Sequence, residues 1–155
     1  MPSLTDHHRR LAALSGRFVG SDDVAPTQWG PGRTADVELS GAMTLGGFWL
    51  ALDHKQHSNG ETIFEAHARL TWDAEAAQYV MAWFDGFGFV PPSLARGDWV
   101  GSDLVLIRTS PRGMARHTFS PAENSLATQV ENSFDGGTTW SVVMTGRYRR
   151  IGQTV

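Results

Sequence analysis

The chain has 155 residues, 41% of them hydrophobic and 19% charged, with no cysteine and a formal net charge of −3. That length fits one domain of ordinary size, with a core that needs no disulfide or structural metal. The lack of Cys excludes disulfide scaffolds, thiolate zinc sites, iron–sulfur clusters and cysteine nucleophiles, and the mildly acidic charge gives no electrostatic case for nucleic acid or an anionic membrane surface.

The first ten residues carry no apolar stretch of the kind a secretory signal requires, and no apolar run approaches the roughly 20 residues of a membrane helix. The expectation is a cytoplasmic single domain, 1–155, without nucleic-acid or membrane partners. Six Trp, eight Phe and two Tyr share this chain with 17 Gly, and those rings need places.

One helix is expected, at about 5–15. Thr5 or Asp6 can cap it, His7, Leu11 and Leu14 fall at i, i+4 and i+7, and Gly16 is placed to end it. Thereafter short runs of period-two character predict strands at 17–24, 34–45, 48–57, 62–72, 79–85, 93–99, 104–110, 114–120, 126–134 and 139–149. Asn59-Gly60, Asp73-Ala74-Glu75, Pro111-Arg112-Gly113 and Asp135-Gly136-Gly137 separate them. Asn-Gly and Asp-Gly supply the positive φ of tight hairpins, so sequence neighbours pair antiparallel. No helices lie between strands to make parallel crossovers. The fold class is all-β: roughly ten antiparallel strands in an up-and-down barrel, which closure frees of exposed edges.

Alternation sorts the faces. Phe48, Leu50, Leu52 and His54 share one; Phe64, Ala66, Ala68, Leu70 and Trp72 another, opposed by Glu65, His67 and Arg69. Trp140, Val142, Met144, Gly146 and Tyr148 oppose Arg147 and Arg149. The run 79–85 is apolar on both faces and calls for an outer cover, by the N-terminal helix or another subunit. Residues 85–92 read as an aromatic loop over one rim.

The order Leu11-x-x-Leu14-x-Gly16-Arg17-Phe18-x-Gly20, Gly46-Gly47-Phe48, Trp72-Asp73, Tyr79-x-x-x-Trp83-x-Asp85 and Asp135-Gly136-Gly137-x-x-Trp140 resembles the bacterial domain-of-unknown-function family 1579. The resemblance covers about residue 7 to Arg150. That family is similar to calycin-like barrels, which include lipocalins, fatty-acid-binding proteins and nitrobindins. It implies a ten-stranded calycin-like barrel closed at one end by the N-terminal helix, and no established reaction. Such barrels carry Gly-x-Trp early in the first strand with an Arg of the last strand over the indole. The counterpart here is Gly16-Arg17-Phe18, with Arg147 or Arg149 as the partner. Nitrobindin-like proteins hold haem through a His near the C-terminus. No His follows His117, so that ligand has no counterpart, and no cofactor is expected.

Three readings of function differ in what they require. A binding module would hold a small apolar or aromatic molecule against Leu50, Leu52, His54, Phe64, Met81, Trp83 and Met144. A cofactor-independent isomerase, cyclase or hydrolase would use His54, His67, His117 or Asp85 as acid or base. An interaction scaffold would form a homodimer through aromatic outer faces. Asp85 before Gly86 also reads as a plain turn residue, and outward alternation of His67 is favoured over inward by about two to one. No metal is expected: His54 and His57, three apart on a strand, point to opposite faces, and no His-Glu-x-x-His occurs.

Overall fold

The computed structural model describes residues 1–28 and 30–153. Ten strands form: β1 (Gly16–Val24), β2 (Arg33–Thr44), β3 (Trp49–Ser58), β4 (Glu61–Asp73), β5 (Gln78–Asp85), β6 (Ala95–Val100), β7 (Asp103–Ser110), β8 (Gly113–Pro121), β9 (Ser125–Ser133) and β10 (Ser141–Gly152). Each pairs antiparallel with its neighbours in sequence, and β1 pairs with β10 to close the barrel. The predicted strands all form, with ends displaced by at most three residues. Asn59 and Gly60 adopt φ of 53° and 79°, the left-handed pair that lets β3 turn into β4 through two residues.

The inner faces follow alternation. Phe18, Val37, Leu39, Leu50, Leu52, Leu70, Tyr79, Met81, Leu104 and Leu106 are all buried. They concentrate toward the end where the N-terminal segment lies. That segment is α1 (Asp6–Arg10) followed by a 3-10 turn, Leu11–Leu14. Thr5 is its N-cap, and the Thr5 N–H donates to His8 Nδ1 at 3.1 Å. Burial, then the charges of His7 and Arg9, hold the His8 imidazole below its ordinary value, in keeping with a ring nitrogen that accepts. Leu11 and Leu14 are wholly buried, each worth roughly 1.5–3 kcal/mol by area removed from water.

Aromatic stacking completes the seal. His7 lies over Trp72 with centroids 3.7 Å apart, and its carbonyl accepts from the Tyr79 hydroxyl at 2.8 Å. His8 meets the ring of Phe48 edge-on at 5.1 Å. Arg10 lies 4.3 Å over Trp99. The helix therefore closes the barrel's end instead of covering the outer face of β5. On that face Val80 is buried and Phe84 is 46% exposed.

The ring of Phe18 does carry an arginine, but it is Arg150, 4.7 Å from the centroid, and not Arg147 or Arg149. The reason is parity: Arg150 falls opposite Phe18 in the β1–β10 register and continues the inward row of Gly146 and Tyr148. Arg147 and Arg149 fall on the solvent face. Arg150 also donates to the carbonyls of Ser15 and Glu123, which ties the last strand to the start of the first.

The opposite end is open, and its wall is incomplete. β4 and β5 pair over eight residues of β5, from Gln78 to Asp85. β5 and β6 pair only through Tyr79, Val80 and Met81. Trp83 and Asp85 thus run past the end of β6, beside a split bridged by residues 86–94. This loop rests on a few contacts: Gly86 N–H to the Glu65 carbonyl at 2.9 Å, Phe87 on Phe64 at 5.4 Å, Arg112 over Phe89 at 4.5 Å, and Ser93 Oγ to the Thr109 carbonyl at 2.8 Å. Phe87, Phe89, Val90 and Phe134 are exposed around this rim.

Candidate functional site

Above the sealed end the interior narrows to a cavity with two polar sides. Leu39, Leu52, Ala68, Val130 and Met144 supply apolar wall. His117 of β8 and His54 of β3 stand five strands apart in the ring of ten, as do Trp83 of β5 and Tyr148 of β10. Each pair therefore spans the barrel. The free space is about 30 Å3, room for one or two waters.

The His54–Tyr148 side is organised by Asp22, which is completely buried in β1. As a carboxylate it accepts from His54 Nε2 at 2.8 Å, Gln56 Nε2 at 2.8 Å and the Tyr148 hydroxyl. Burial, followed by the charge and hydrogen bond of Asp22, raises the Tyr148 phenol above its ordinary value, so it remains a donor. Thr128 Oγ1 lies 3.1 Å from the same hydroxyl, and Arg33 reaches Gln56 Oε1 at 2.9 Å. A ring that donates Nε2–H to Asp22 presents Nδ1 as its other polar atom.

The facing side is chemically different. The His117 imidazole is pushed down to about 3, first by burial and then by the charge of Arg108, so it is a neutral ring near pH 7. Trp83 leans on it with centroids 4.9 Å apart, and the Trp83 indole N–H donates to Asp85 Oδ2 at 2.9 Å. Among the described residues no three His, Cys, Asp or Glu side chains gather to hold a metal ion. No helix among them is long and apolar enough to cross a membrane.

Residues 3–150 match the family described as "Protein of unknown function (DUF1579)". The chain belongs to this family. The structure is similar to the crystal structure of Rv2717c from M. tuberculosis, with a TM-score of 0.64 at 12% identity. The match covers 96% of this chain and 99% of that one. At such identity the likeness concerns the fold alone. No curated protein matches the chain.

The DUF1579 barrel brings some of the sequence candidates together and separates others. Leu52, His54, Trp83 and Met144 line the cavity with His117. Leu50 and Met81 do not: both are wholly packed core residues nearer the helix-sealed end, where no free space is left. Phe64 stands at the rim, between His54 at 6.2 Å and Phe87. His67 faces outward, as alternation favoured, with Nδ1 2.7 Å from Asp53 and half its side chain exposed, which takes it out of the acid–base candidates. Asp85 faces the rim and accepts from the Phe87 N–H at 3.0 Å, the turn bond its sequence suggests, in addition to holding Trp83.

Asp22, Gln56, Thr128 and Tyr148 were absent from the sequence candidates. Alternation carried the signal for Asp22, since Phe18, Gly20 and Asp22 share a face, yet an Asp22-Asp23 pair reads as surface acid. Gly146 has a definite part in the site. A Cβ there would collide with the Tyr148 hydroxyl and with Thr128 Oγ1. The bare backbone lets Tyr148 fold back to Asp22. Gly146→Ala is expected to lower stability by about 1–3 kcal/mol, as overpacking of a core does. Urea unfolding reads this loss, and a change below 0.5 kcal/mol would mean that Tyr148 has another resting place.

Proposed function

We propose that this barrel is calycin-like and binds a small, largely apolar or aromatic molecule in its open half. The observation that carries the reading is the cavity between the Trp83–His117 side and the His54–Tyr148 side. Its walls are mostly apolar, and its few polar groups are oriented by partners behind them, the pattern of a small-molecule site. Arg150 over Phe18, beside Gly16, is the arginine-on-aromatic contact that the calycin resemblance calls for. The resting cavity is smaller than an aromatic ring needs. A guest therefore displaces the 86–94 loop, whose Phe87 and Phe89 then become part of its cover. The loop's exposed rings and sparse tethers suit it to such a movement.

Native mass spectrometry of gently purified protein tests the reading directly, since a retained guest adds its mass. A titration with 3-phenyl-1-propanol provides the second test. Quenching or a blue shift of tryptophan emission is expected, and Trp83→Phe should remove most of that response. No added mass together with no optical response to the alcohol would sink the proposal.

A second reading rests on one contact, the 2.8 Å bond between His54 Nε2 and buried Asp22. A carboxylate behind an imidazole fixes its tautomer and leaves the other nitrogen as a base, the arrangement general-base catalysis uses. In that case His54→Gln would abolish turnover of a substrate yet leave its binding within a few-fold. Binding and turnover falling together would instead place His54 among plain contact residues.

A further inference from the structure

Arg108 has no role in the fold described so far, and its surroundings are unusual for an arginine. It continues the inward row of Leu104 and Leu106 on β7 and pairs across to Ala115 on β8. On its other side the β6–β7 ladder ends at Ile107. Arg108 therefore stands at the split beyond β6, toward the rim from the level of His117, which lies opposite Leu106. The other arginines on inward rows of the wall are both engaged: Arg33 donates to Gln56 Oε1, and Arg150 donates to two carbonyls and covers a ring. Arg108 has no hydrogen bond or ion pair to any described residue. Burial holds its guanidinium below the ordinary arginine value, and only the more distant charge of Asp85 offsets this. A half-buried guanidinium without a partner carries a desolvation cost that an incoming anion offsets.

The neighbourhood narrows what that anion can be. The Asp85 carboxyl is already engaged by Trp83 Nε1 and the Phe87 N–H, and it lies beside the split where its charge acts on Arg108. A single negative charge balances Arg108, whereas a dianion would meet Asp85. A guanidinium fork matches the planar carboxylate bidentately. Arg112, the other cation near Arg108, is occupied by the ring of Phe89. The cavity that the Arg108 charge reaches at His117 is lined by Trp83, that neutral imidazole and an apolar wall, which suit a ring or short chain and no further charge.

We propose that Arg108 anchors the carboxylate of a monoanionic organic acid whose apolar end points down toward Trp83 and Met144, with the charged end left at the split between β5 and β7. This rests on the binding reading above, names the class of its guest and fixes the guest's direction.

The test compares two probes with the same body, 3-phenylpropionate and 3-phenyl-1-propanol, by tryptophan fluorescence and calorimetry at pH 7. The acid is expected to bind at least tenfold tighter than the alcohol. Arg108→Gln should erase that preference while leaving the alcohol's affinity within twofold, and Arg112→Gln should preserve it. An alcohol that binds as well as the acid would overturn the role of Arg108 and leave the binding reading standing. A preference that survives Arg108→Gln, or disappears with Arg112→Gln alone, would overturn it in the same way. Failure of both probes to bind would overturn the role of Arg108, and joined to the absence of a retained mass it would overturn the binding reading as well. Thermal melts of the two variants establish that each is folded before its affinity is compared.

Discussion

Replacing His117 with leucine is expected to flatten the acid limb of the stability profile by about 3 kcal/mol between pH 7 and pH 4. The ring is buried and titrates near 3 in the folded chain, against an ordinary value of 6.5. Unfolding restores the ordinary value, so between those limits the unfolded chain binds a proton that the folded chain refuses. Stability from this group is thus intact above about 6.5 and is lost progressively as pH falls toward 3. Each unit of difference is worth about 1.36 kcal/mol, which gives the figure at pH 4. Asp73 and Asp135 also lie below their ordinary values, Asp135 at about 2 because Thr139 and Ser133 donate to it. Both lose stabilisation with falling pH in the variant as well as in the natural chain. The difference between the two proteins therefore isolates His117. Urea unfolding at the two pH values supplies the measurement. Parallel losses would show that the imidazole is hydrated or finds a partner when charged. Arg108→Gln should narrow the gap between the proteins, because the Arg108 charge is the second cause of the depression.

The same two residues show how far alternation carries a reading from sequence. The ten strands were legible because β-hairpin turns and period-two patterns are local, and Asn59-Gly60 or Asp135-Gly136 announce themselves within a few residues. His54 was legible in the same way, as the polar continuation of Leu50 and Leu52. The Phe18 partner needed one more step, since Arg150 and not Arg149 has the parity of Tyr148. What local pattern lacks is position around the ring. Nothing within β3 or β8 alone says that His54 and His117 stand on opposite walls, because that depends on closure by β1 and β10. Nor does any strand reveal how deep a residue lies along the axis. Leu50, Met81 and Leu52 look equivalent in sequence, yet only Leu52 reaches free space, because the Leu11–Leu14 turn plugs the end where the other two lie. Asp22 and Arg108 escaped for a related reason. A charged residue on an inward row runs against the rule that such rows are apolar, and only its partners, or the lack of them, give it meaning.

Asp22→Ala should be the most damaging single truncation of a polar side chain in the site, at about 3–5 kcal/mol. From β1 the carboxylate satisfies three donors on two other strands, His54 and Gln56 on β3 and Tyr148 on β10. Removing it strands three buried donors, and each unsatisfied group costs about 1–3 kcal/mol. Relaxation lowers the sum, since Thr128 is within reach of the Tyr148 hydroxyl and Arg33 still holds Gln56. Asp22→Asn keeps one acceptor and turns an NH2 toward the others. The His54 ring can answer by moving its proton to Nδ1, so this variant should lose only about 1–2 kcal/mol. Asp23→Ala is the control. Asp23 faces solvent and among the described residues accepts only from Thr34 at 2.8 Å in the exposed ladder, and its loss should fall within about 0.5 kcal/mol. Urea unfolding of the three variants at pH 7 ranks them, with near-ultraviolet circular dichroism reporting whether the rings keep their places. An Asp22→Ala chain as stable as Asp23→Ala would mean that the network is held by packing around Tyr148 and not by the carboxylate. The ordering Ala far below Asn, with Asn close to the natural chain, is what a carboxylate serving as the hub of β1, β3 and β10 requires. It would also locate the rigid side of the cavity at Asp22 and leave the Trp83–Arg108 side, next to the split, as the side that moves.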